Sequence, residues 1–178
     1  MKKEWKRNEL KCRTAFTLMG LSLPVWRSGL DDIQMERGIY HGCGNRPTPW
    51  ISEEAYHGPK DKHSADHCFP VQFCGMFALD NPDPWLTDYE KFCELFDFAS
   101  TVVIVSKREN KLLSGQTKKK KGILTLKCRM QTKYATAGIK LLNKETGVSA
   151  NRFPLKVWPE IWEYETQFLI DNNPQPVI

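Results

Sequence analysis

A carboxylate and an imidazole lie side by side in the segment Ser64–Pro70, where Asp66 is followed directly by His67. Neighbouring side chains on an extended segment point to opposite sides, so the two groups are able to serve different partners. Histidine is the side chain best suited to take a proton near neutral pH, and a hard carboxylate oxygen suits Mg²⁺. The segment is therefore a candidate for metal-assisted proton transfer. A surface hydrogen bond is the alternative interpretation of an isolated Asp-His pair.

A strong positive charge is concentrated in residues 101–140. This stretch contains eleven Lys or Arg and one acid, so its net charge is 11 − 1 = +10, and the rest of a chain of net charge +5 sums to 5 − 10 = −5. Such a stripe is typical of proteins that bind a polyanion, most commonly nucleic acid. A solvated loop is the alternative for Lys118–Lys121 alone. The residues predicted to bind nucleic acid are Lys107, Arg108, Lys111, Lys118, Lys119, Lys120, Lys121, Lys127 and Arg129.

Two adjoining patterns predict a strand that leads directly into a helix. Thr101–Val105 is a β-branched run of strand length without polar alternation, which predicts a mostly buried strand. Ser106 and Glu109 then form a capping box, which predicts a short helix that Gly115 can close.

Other signals predict further elements. Thr87 and Glu90 form a second capping box that opens a helix extending to Phe98, and Ser52 is placed to cap a short helix over residues 53–56. The remaining expectations are an irregular loop at Gly38–Pro49, a lysine-rich turn before a strand at Ile123–Met130, a helix from Pro159 to Ile170 and a loose tail at Asp171–Ile178.

The Asp66-His67 pair, Pro70, the strand from Thr101 and the helix that contains Asn110 together resemble the HNH nucleases. The ββα-metal motif of that family has an acidic residue and His on a first strand, Pro shortly afterwards, a second apolar strand, and a helix with a polar metal ligand in its first turns. Asn110 takes the position of that last ligand. The resemblance covers Asp66–Leu113, and Trp50–Tyr56 weakly resembles the lead-in of phage-type members.

Several positions depart from the family pattern. The middle family residue, usually Asn, falls on Thr101, so the hydrogen bond that braces the loop must come from a hydroxyl or from elsewhere. Asn110 replaces His in a way that the family tolerates. The 43-residue interval from His67 to Asn110 is expected to hold the inserted helix that ends at Phe98, and the paired zinc-binding cysteines of many members are absent.

The resemblance implies an α+β fold with a ββα-metal (HNH-like) core, additional helices and a basic C-terminal strand and helix region. The domain division expected from it is an N-terminal extension at 1–49, a nuclease core at 50–116 and a DNA-contacting region at 117–178. It also implies that His67 is a general base, that Asp66 and Asn110 bind Mg²⁺ or Mn²⁺, and that Thr101 completes the catalytic set. The implied activity is endonuclease cleavage of double-stranded DNA.

The composition of the chain and the length of its apolar segments disfavour disordered, membrane-spanning and secreted classes of protein. With 178 residues, 40% of them hydrophobic and 26% charged, the chain has ordinary globular composition. The longest apolar stretch, Ala15–Trp26, is 12 residues, which is shorter than the roughly 20 that cross a bilayer. No small-x-small cleavage site follows it, so mature sequence is expected. The scattered cysteines favour free thiols in a cytoplasm, that of the host if the protein is phage-encoded.

Two other functional classes stay open at the level of sequence. A nucleic-acid-binding protein without catalysis needs only the basic stripe, and a phage-type protein that binds a host factor needs neither feature. A zinc site drawn from His41, Cys43, His63 and Cys68 follows no known ligand spacing. The oligomeric state, the recognition sequence and the choice between a nick and a double-strand break have no sequence signal.

Overall fold

The computed structural model describes residues 5–28, 39, 42–120, 123–150 and 155–172. Within these ranges the fold is α+β, which confirms the predicted class at that level. The helices are α1 (Glu9–Arg27), α2 (Glu53–His57), α3 (Val71–Asp80), α4 (Pro82–Trp85), α5 (Tyr89–Ala99), α6 (Lys107–Ser114), α7 (Lys133–Thr136) and α8 (Pro159–Asn172). The strands are β1 (Arg46–Ser52), β2 (His63–His67), β3 (Thr101–Ser106), β4 (Thr117–Lys120), β5 (Ile123–Leu126), β6 (Leu141–Asn143) and β7 (Ser149–Ala150), and 3₁₀ turns cover Lys60–Lys62 and Met130–Thr132.

The strands form two sheets. Five of them pair in the order β2-β3-β1-β6-β7, and β4 and β5 form a separate antiparallel pair. The β1–β6 pair is antiparallel, with Trp50 opposite Asn143 and Ser52 opposite Leu141. Cys68, the residue after β2, donates its backbone N–H to the carbonyl of Thr101 at 2.9 Å, so the end of β2 lies beside the start of β3.

β1 is an interior strand although it contains Pro47 and Pro49. The N–H of Arg46 donates to the carbonyl of Ser100, so the even-numbered residues at this end of β1 direct their backbone groups towards β3. The prolines therefore occupy positions whose missing N–H would point towards β6. β6 pairs only with residues from Trp50 onwards, so neither proline removes a donor from the β1–β6 ladder.

The junction of β3 and α6 is as predicted. Every residue of β3 except Ile104 is buried. The Ser106 hydroxyl accepts from the N–H of Glu109 at 3.0 Å, and the Glu109 carboxylate accepts from the N–H of Ser106 at 2.8 Å. This reciprocal pair is the predicted capping box, and it makes α6 start at the residue that follows β3.

The chain divides into two compact units. The first is formed by Met1–Thr48 and Ala65–Val103, and the second by Pro49–Ser64 and Ile104–Ile178. The contiguous core expected at 50–116 therefore contributes segments to both units.

Aromatic residues dominate the core of the first unit. Phe16 of α1 packs edge-on against Phe92 of α5, with ring centroids 5.2 Å apart, and Phe77 of α3 packs against Trp85 of α4 at 5.4 Å. α3 is buried on almost every side, which explains why it has no amphipathic pattern from which the sequence could have predicted it. The largest fully buried side chains of this unit are Phe69, Phe73, Phe77, Phe92, Phe96, Met19, Ile39, Leu79 and Leu95.

The second unit combines short elements with the long C-terminal helix. α8 turns Ile161, Glu165 and Phe168 inward, at the i, i+4, i+7 spacing of a single helix face. The carboxylate of Glu165 accepts from the N–H of Met130 at 2.6 Å and so fixes the 3₁₀ turn. Leu124 and Leu126 of β5 are also buried.

The structure corrects several predicted boundaries. The loop expected at Gly38–Pro49 gives way to β1 from Arg46 onwards. The cap of α5 is Asp88 rather than Thr87, since the Asp88 carboxylate accepts from the N–H groups of Glu90 and Lys91. The lysine-rich turn is strand β4 as far as Lys120, and the strand predicted to reach Met130 ends at Leu126. The predicted tail begins later, because α8 continues to Asn172, and residues 173–178 lie outside the described residues.

No helix in the described ranges has both the length and the apolar character needed to cross a membrane.

Candidate functional site

Asp66 and His67 are the last two residues of β2, and both are half-buried. The chain immediately after them is firmly anchored, because Cys68 and Phe69 are buried and the rings of Phe69 and Phe98 lie 5.2 Å apart. Cys68 also bonds to β3 through its backbone N–H. Asp66 and His67 thus occupy successive positions at the end of a strand whose continuation is fixed by the core of the first unit.

Thr101 begins β3 and is buried. Its hydroxyl donates to the carbonyl of Asp97, in the last turn of α5, at 3.1 Å. The Asp97 carboxylate in turn accepts from the guanidinium of Arg7 at 3.1 Å. The hydroxyl of Thr101 therefore braces the junction between α5 and β3.

Asn110 lies in the first turns of α6 and is half-buried. Its side-chain amide forms no hydrogen bond with any residue that the structure describes, whereas the neighbouring Glu109 is buried and fully engaged in capping. The amide oxygen of Asn110 is therefore available to an external partner, as a metal ligand in this position must be.

The donor set predicted for a metal consists of oxygen atoms, from the carboxylate of Asp66 and the amide of Asn110. Oxygen donors fit Mg²⁺, which keeps several water ligands and needs few protein groups. Across the described ranges, no cluster of three or more His, Cys, Asp or Glu side chains is arranged to hold a metal. A site of the predicted kind would thus depend on the amide, water and substrate oxygens for most of its ligands.

The predicted nucleic-acid-binding residues occupy several elements of the second unit. Lys107, Arg108 and Lys111 are exposed on α6, and Lys127 and Arg129 are exposed after β5. Lys118, Lys119 and Lys120 lie on β4, whereas Lys121 falls outside the described residues. The guanidinium of Arg108 is engaged with the carboxylate of Glu54, and the pKa of Glu54 is lowered mainly by that hydrogen bond.

The basic residues of the stretch 101–140 are not all exposed and unpaired. Lys133 is only 5% exposed, and its ammonium lies 4.8 Å from the centroid of the Tyr134 ring. Lys140 is paired with Glu53 at 2.9 Å. Lys133 belongs to the positively charged stretch 101–140 but not to the residues predicted to bind nucleic acid, and its burial keeps it out of the exposed basic surface.

Cys12, Cys43 and Cys74 are unsuited to nucleophilic catalysis. None of the six cysteines is in a disulfide. Burial raises the pKa of Cys43 and the pKa of Cys12 to about 12, and it raises the pKa of Cys74 well above the ordinary value. These thiols stay protonated near neutral pH, and the thiol is far less nucleophilic than the thiolate.

A pocket in the second unit was not anticipated from sequence. It lies between α2, the 3₁₀ turn before β2 and the start of α6, and Lys62, His63 and Lys107 contribute to its walls. Lys62 and His63 sit in a segment of polar composition without periodicity, so no sequence signal connects them with Lys107. Their proximity is a product of the tertiary fold.

No model of a known protein family matches this chain, and no curated protein or solved structure matches it either.

Proposed function

We propose that this protein is a metal-dependent DNA endonuclease of the HNH type, which hydrolyses phosphodiester bonds. One observation supports the proposal most directly: β2 ends in Asp66-His67, β3 is its neighbour in the sheet, and α6 begins at the residue after β3. This is the order strand, strand, helix of the ββα-metal motif. β2 carries the acidic residue and His of the motif and α6 carries a polar residue at the ligand position, whereas β3 has Thr101 in place of the usual Asn. The proposed core consists of β2, β3 and α6.

The connection between the two strands is also compatible with the proposal. The end of β2 and the start of β3 are joined by the hydrogen bond from Cys68 to Thr101, as neighbouring antiparallel strands require. α3, α4 and α5 form the insertion between them. In this chain the two strands of the motif would thus be connected by three helices instead of by a short loop.

His67 is the proposed general base. Its imidazole takes a proton from a water molecule, and the resulting hydroxide attacks the phosphorus of the scissile phosphodiester. Asp66 and Asn110 are the proposed Mg²⁺ ligands, and a bound ion would supply positive charge that stabilises the pentacovalent phosphate and the departing 3′ oxygen. His67 is half-buried, which limits the conformations open to its side chain.

The proposed DNA contacts come from the exposed basic side chains of the second unit. Lys107 and Lys111 on α6 and Lys127 after β5 are exposed and form no ion pair with residues in the described ranges. Contacts of this kind reach phosphate oxygens and position a duplex without selecting its sequence. We therefore expect little sequence preference from this surface.

The β4–β5 hairpin favours a second candidate, a nucleic-acid-binding protein without catalysis. Its first strand is Thr117–Lys120 and pairs with Ile123–Leu126 over four residue pairs. A two-stranded antiparallel ribbon can enter the major groove of DNA, and three consecutive lysines on one strand add attraction to the phosphates. This candidate needs neither Asp66 nor His67.

Cleavage of supercoiled plasmid by the purified full-length protein separates the two candidates. The nuclease should convert the plasmid to nicked or linear product with Mg²⁺ or Mn²⁺, and an excess of EDTA should stop the reaction. A His57→Ala variant is the matched control, because His57 is exposed on α2 and has no role in the proposed site. Binding of the plasmid without cleavage under any divalent ion would favour the second candidate and contradict the first.

A further inference from the structure

The pocket of the second unit has the size of a small-molecule site. Its volume is about 450 Å³, and small-ligand sites in proteins commonly enclose about 300 to 1,000 Å³. Its charged and polar walls come from three separate parts of the chain. The ionisable residues in these walls are Glu54, Asp61, Lys62, His63, Lys107 and Arg108, and Ser106 adds a hydroxyl-bearing residue.

The charges of this pocket do not cancel. The guanidinium of Arg108 and the carboxylate of Glu54 neutralise each other, with Nε of Arg108 at 3.0 and 3.2 Å from the two carboxylate oxygens. The remaining groups are Lys62 and Lys107, which form no ion pair with any residue that the structure describes, and the single acid Asp61. Two positive charges and one negative charge leave 2 − 1 = +1, so the pocket favours an anion over a cation.

His63 adds an unsatisfied polar atom to the same wall. Its Nε2 is shielded from solvent and has no hydrogen-bond partner among the described residues. Buried polar atoms nearly always have a partner, so an exception in a pocket wall points to a group that the chain itself does not supply. Because Nε2 has no accessible surface of its own, the ring would have to rotate to expose it to the pocket before a ligand oxygen could become that partner.

We propose that this pocket binds a phosphate monoester group, held by Lys62, Lys107 and His63. A phosphate monoester carries between one and two negative charges near neutral pH and presents three strong acceptor oxygens. Two ammonium groups and one imidazole N–H supply donors for those oxygens from separate elements. Two sources of a phosphate monoester that experiment can distinguish are the 5′ end of a nucleic-acid strand and a free nucleotide. None of the three residues is a proposed cleavage group, but Lys107 is also a proposed DNA contact, so the tests below compare the preference for a terminal phosphate rather than overall affinity.

Equilibrium binding in EDTA tests the pocket without cleavage. The probe is a fluorescent single-stranded oligonucleotide with a 5′-phosphate, compared with the same strand bearing a 5′-hydroxyl. The full-length protein should bind the phosphorylated strand about fivefold to tenfold more tightly, because each charge-assisted hydrogen bond to the terminal phosphate strengthens binding. Equal affinity for the two strands, combined with no binding of AMP, would overturn the proposal.

A pair of double variants distinguishes the pocket from general charge. Lys62→Ala with Lys107→Ala should abolish the preference for the 5′-phosphate, whereas Lys144→Ala with Lys156→Ala should keep it. Both double variants remove the same two charges, and all four lysines are exposed, so the fold should persist in each. Disappearance of the preference in both double variants would show a long-range charge effect and overturn the proposal.

Competition identifies the source of the phosphate. AMP should displace the phosphorylated strand, and adenosine should not, if the pocket takes a free nucleotide. If the strand end is the ligand, AMP should compete poorly while the unlabelled phosphorylated strand competes fully. Displacement by adenosine and AMP at the same concentration would contradict recognition of the phosphate group.

Discussion

The hydroxyl of Ser52 donates a hydrogen bond to the carboxylate of Glu109, a residue 57 positions later in the chain. Ser52 is also the cap of α2, where its oxygen accepts from the N–H of Ala55 at 3.1 Å. The same Glu109 carboxylate completes the capping box of α6 with Ser106. The starts of both helices therefore depend on one buried carboxylate.

Replacement of Glu109 should strongly destabilise the protein. Glu109→Ala removes the acceptor of both the Ser52 hydroxyl and the Ser106 N–H, and we expect the free energy of unfolding to fall by about 2 to 3 kcal/mol. Urea denaturation followed by circular dichroism measures the change. Glu163→Ala, on the exposed face of α8, is the control and should stay within about 0.5 kcal/mol of the wild type. Similar decreases in the two variants would contradict the capping role of Glu109.

The pH dependence of stability should carry a contribution from Glu165. Burial raises the pKa of this carboxyl above its ordinary value of 4.5, although the N–H of Met130 and the charge of Arg129 act in the opposite direction. The folded protein therefore keeps the proton at pH values where the unfolded chain has released it. This carboxyl thus makes the free energy of unfolding fall as the pH rises from about 4.5 through its folded pKa.

The Glu165→Gln variant isolates this contribution. The amide oxygen can still accept from Met130, but the group no longer titrates. The free energy of unfolding of the variant, minus that of the wild type, should be constant well below pH 4.5 and should rise as the pH increases from about 4.5 through the folded pKa of Glu165. Urea titrations across this range provide the measurement, with Glu163→Gln as an exposed control that shows no such trend. A difference that does not change with pH would contradict the assignment.

Local signals allowed part of the fold to be predicted. The box formed by Ser106 and Glu109 and the β-branched run of β3 were predictable, because their hydrogen bonds and burial involve residues close in sequence. β4 was not, since three successive lysines have no strand signal of their own and become a strand by pairing with Ile123–Leu126. β1 was hidden by two prolines whose position relative to β6 only the tertiary structure reveals.

The sequence identified some residues of the candidate site but not their surroundings. Asp66, His67 and Asn110 stand out because their residue types and order resemble a known motif, which requires no knowledge of their surroundings. The burial of Lys133 and the grouping of Lys62, His63 and Lys107 were not predictable, because both depend on contacts between residues distant in sequence. Charge counted along a sequence does not distinguish an exposed lysine from a buried one.

The lysines of β4, together with Lys121 that follows them in the sequence, should account for part of the affinity for DNA. Replacing Lys118, Lys119, Lys120 and Lys121 with Ala should weaken binding to all sequences alike, and the slope of log affinity against log salt should flatten by about 0.9 for each phosphate that the variant no longer neutralises. Salt titrations with a fluorescent duplex in EDTA measure both quantities. Replacing the exposed Lys6, Lys11, Lys144 and Lys156 removes the same charge elsewhere and should change the slope much less. Equal slopes in the wild type and the β4 variant would show that β4 does not bind phosphates.

Asp66 and Asn110 should determine metal affinity. Asp66→Ala and Asn110→Ala should each raise the Mg²⁺ concentration needed for half-maximal cleavage by about tenfold or more, because the site has few protein ligands. Calorimetric titration with Mn²⁺ should show the same weakening without reference to activity. Asp171→Ala, at an exposed position near the end of α8, should bind Mn²⁺ as the wild type does. Unchanged Mn²⁺ affinity in both site variants would exclude them as ligands.

The single-turnover rate of plasmid cleavage with saturating Mg²⁺ tests most directly whether His67 is the base of a phosphodiester hydrolase. His67→Ala should lower this rate by about 100-fold or more, since a general base contributes at least that much. Its affinity for DNA should remain within about twofold of the wild type, because other residues bind the phosphates. His57→Ala should cleave at the wild-type rate. Cleavage by His67→Ala at the wild-type rate, under the same Mg²⁺ concentration, would contradict the proposed mechanism.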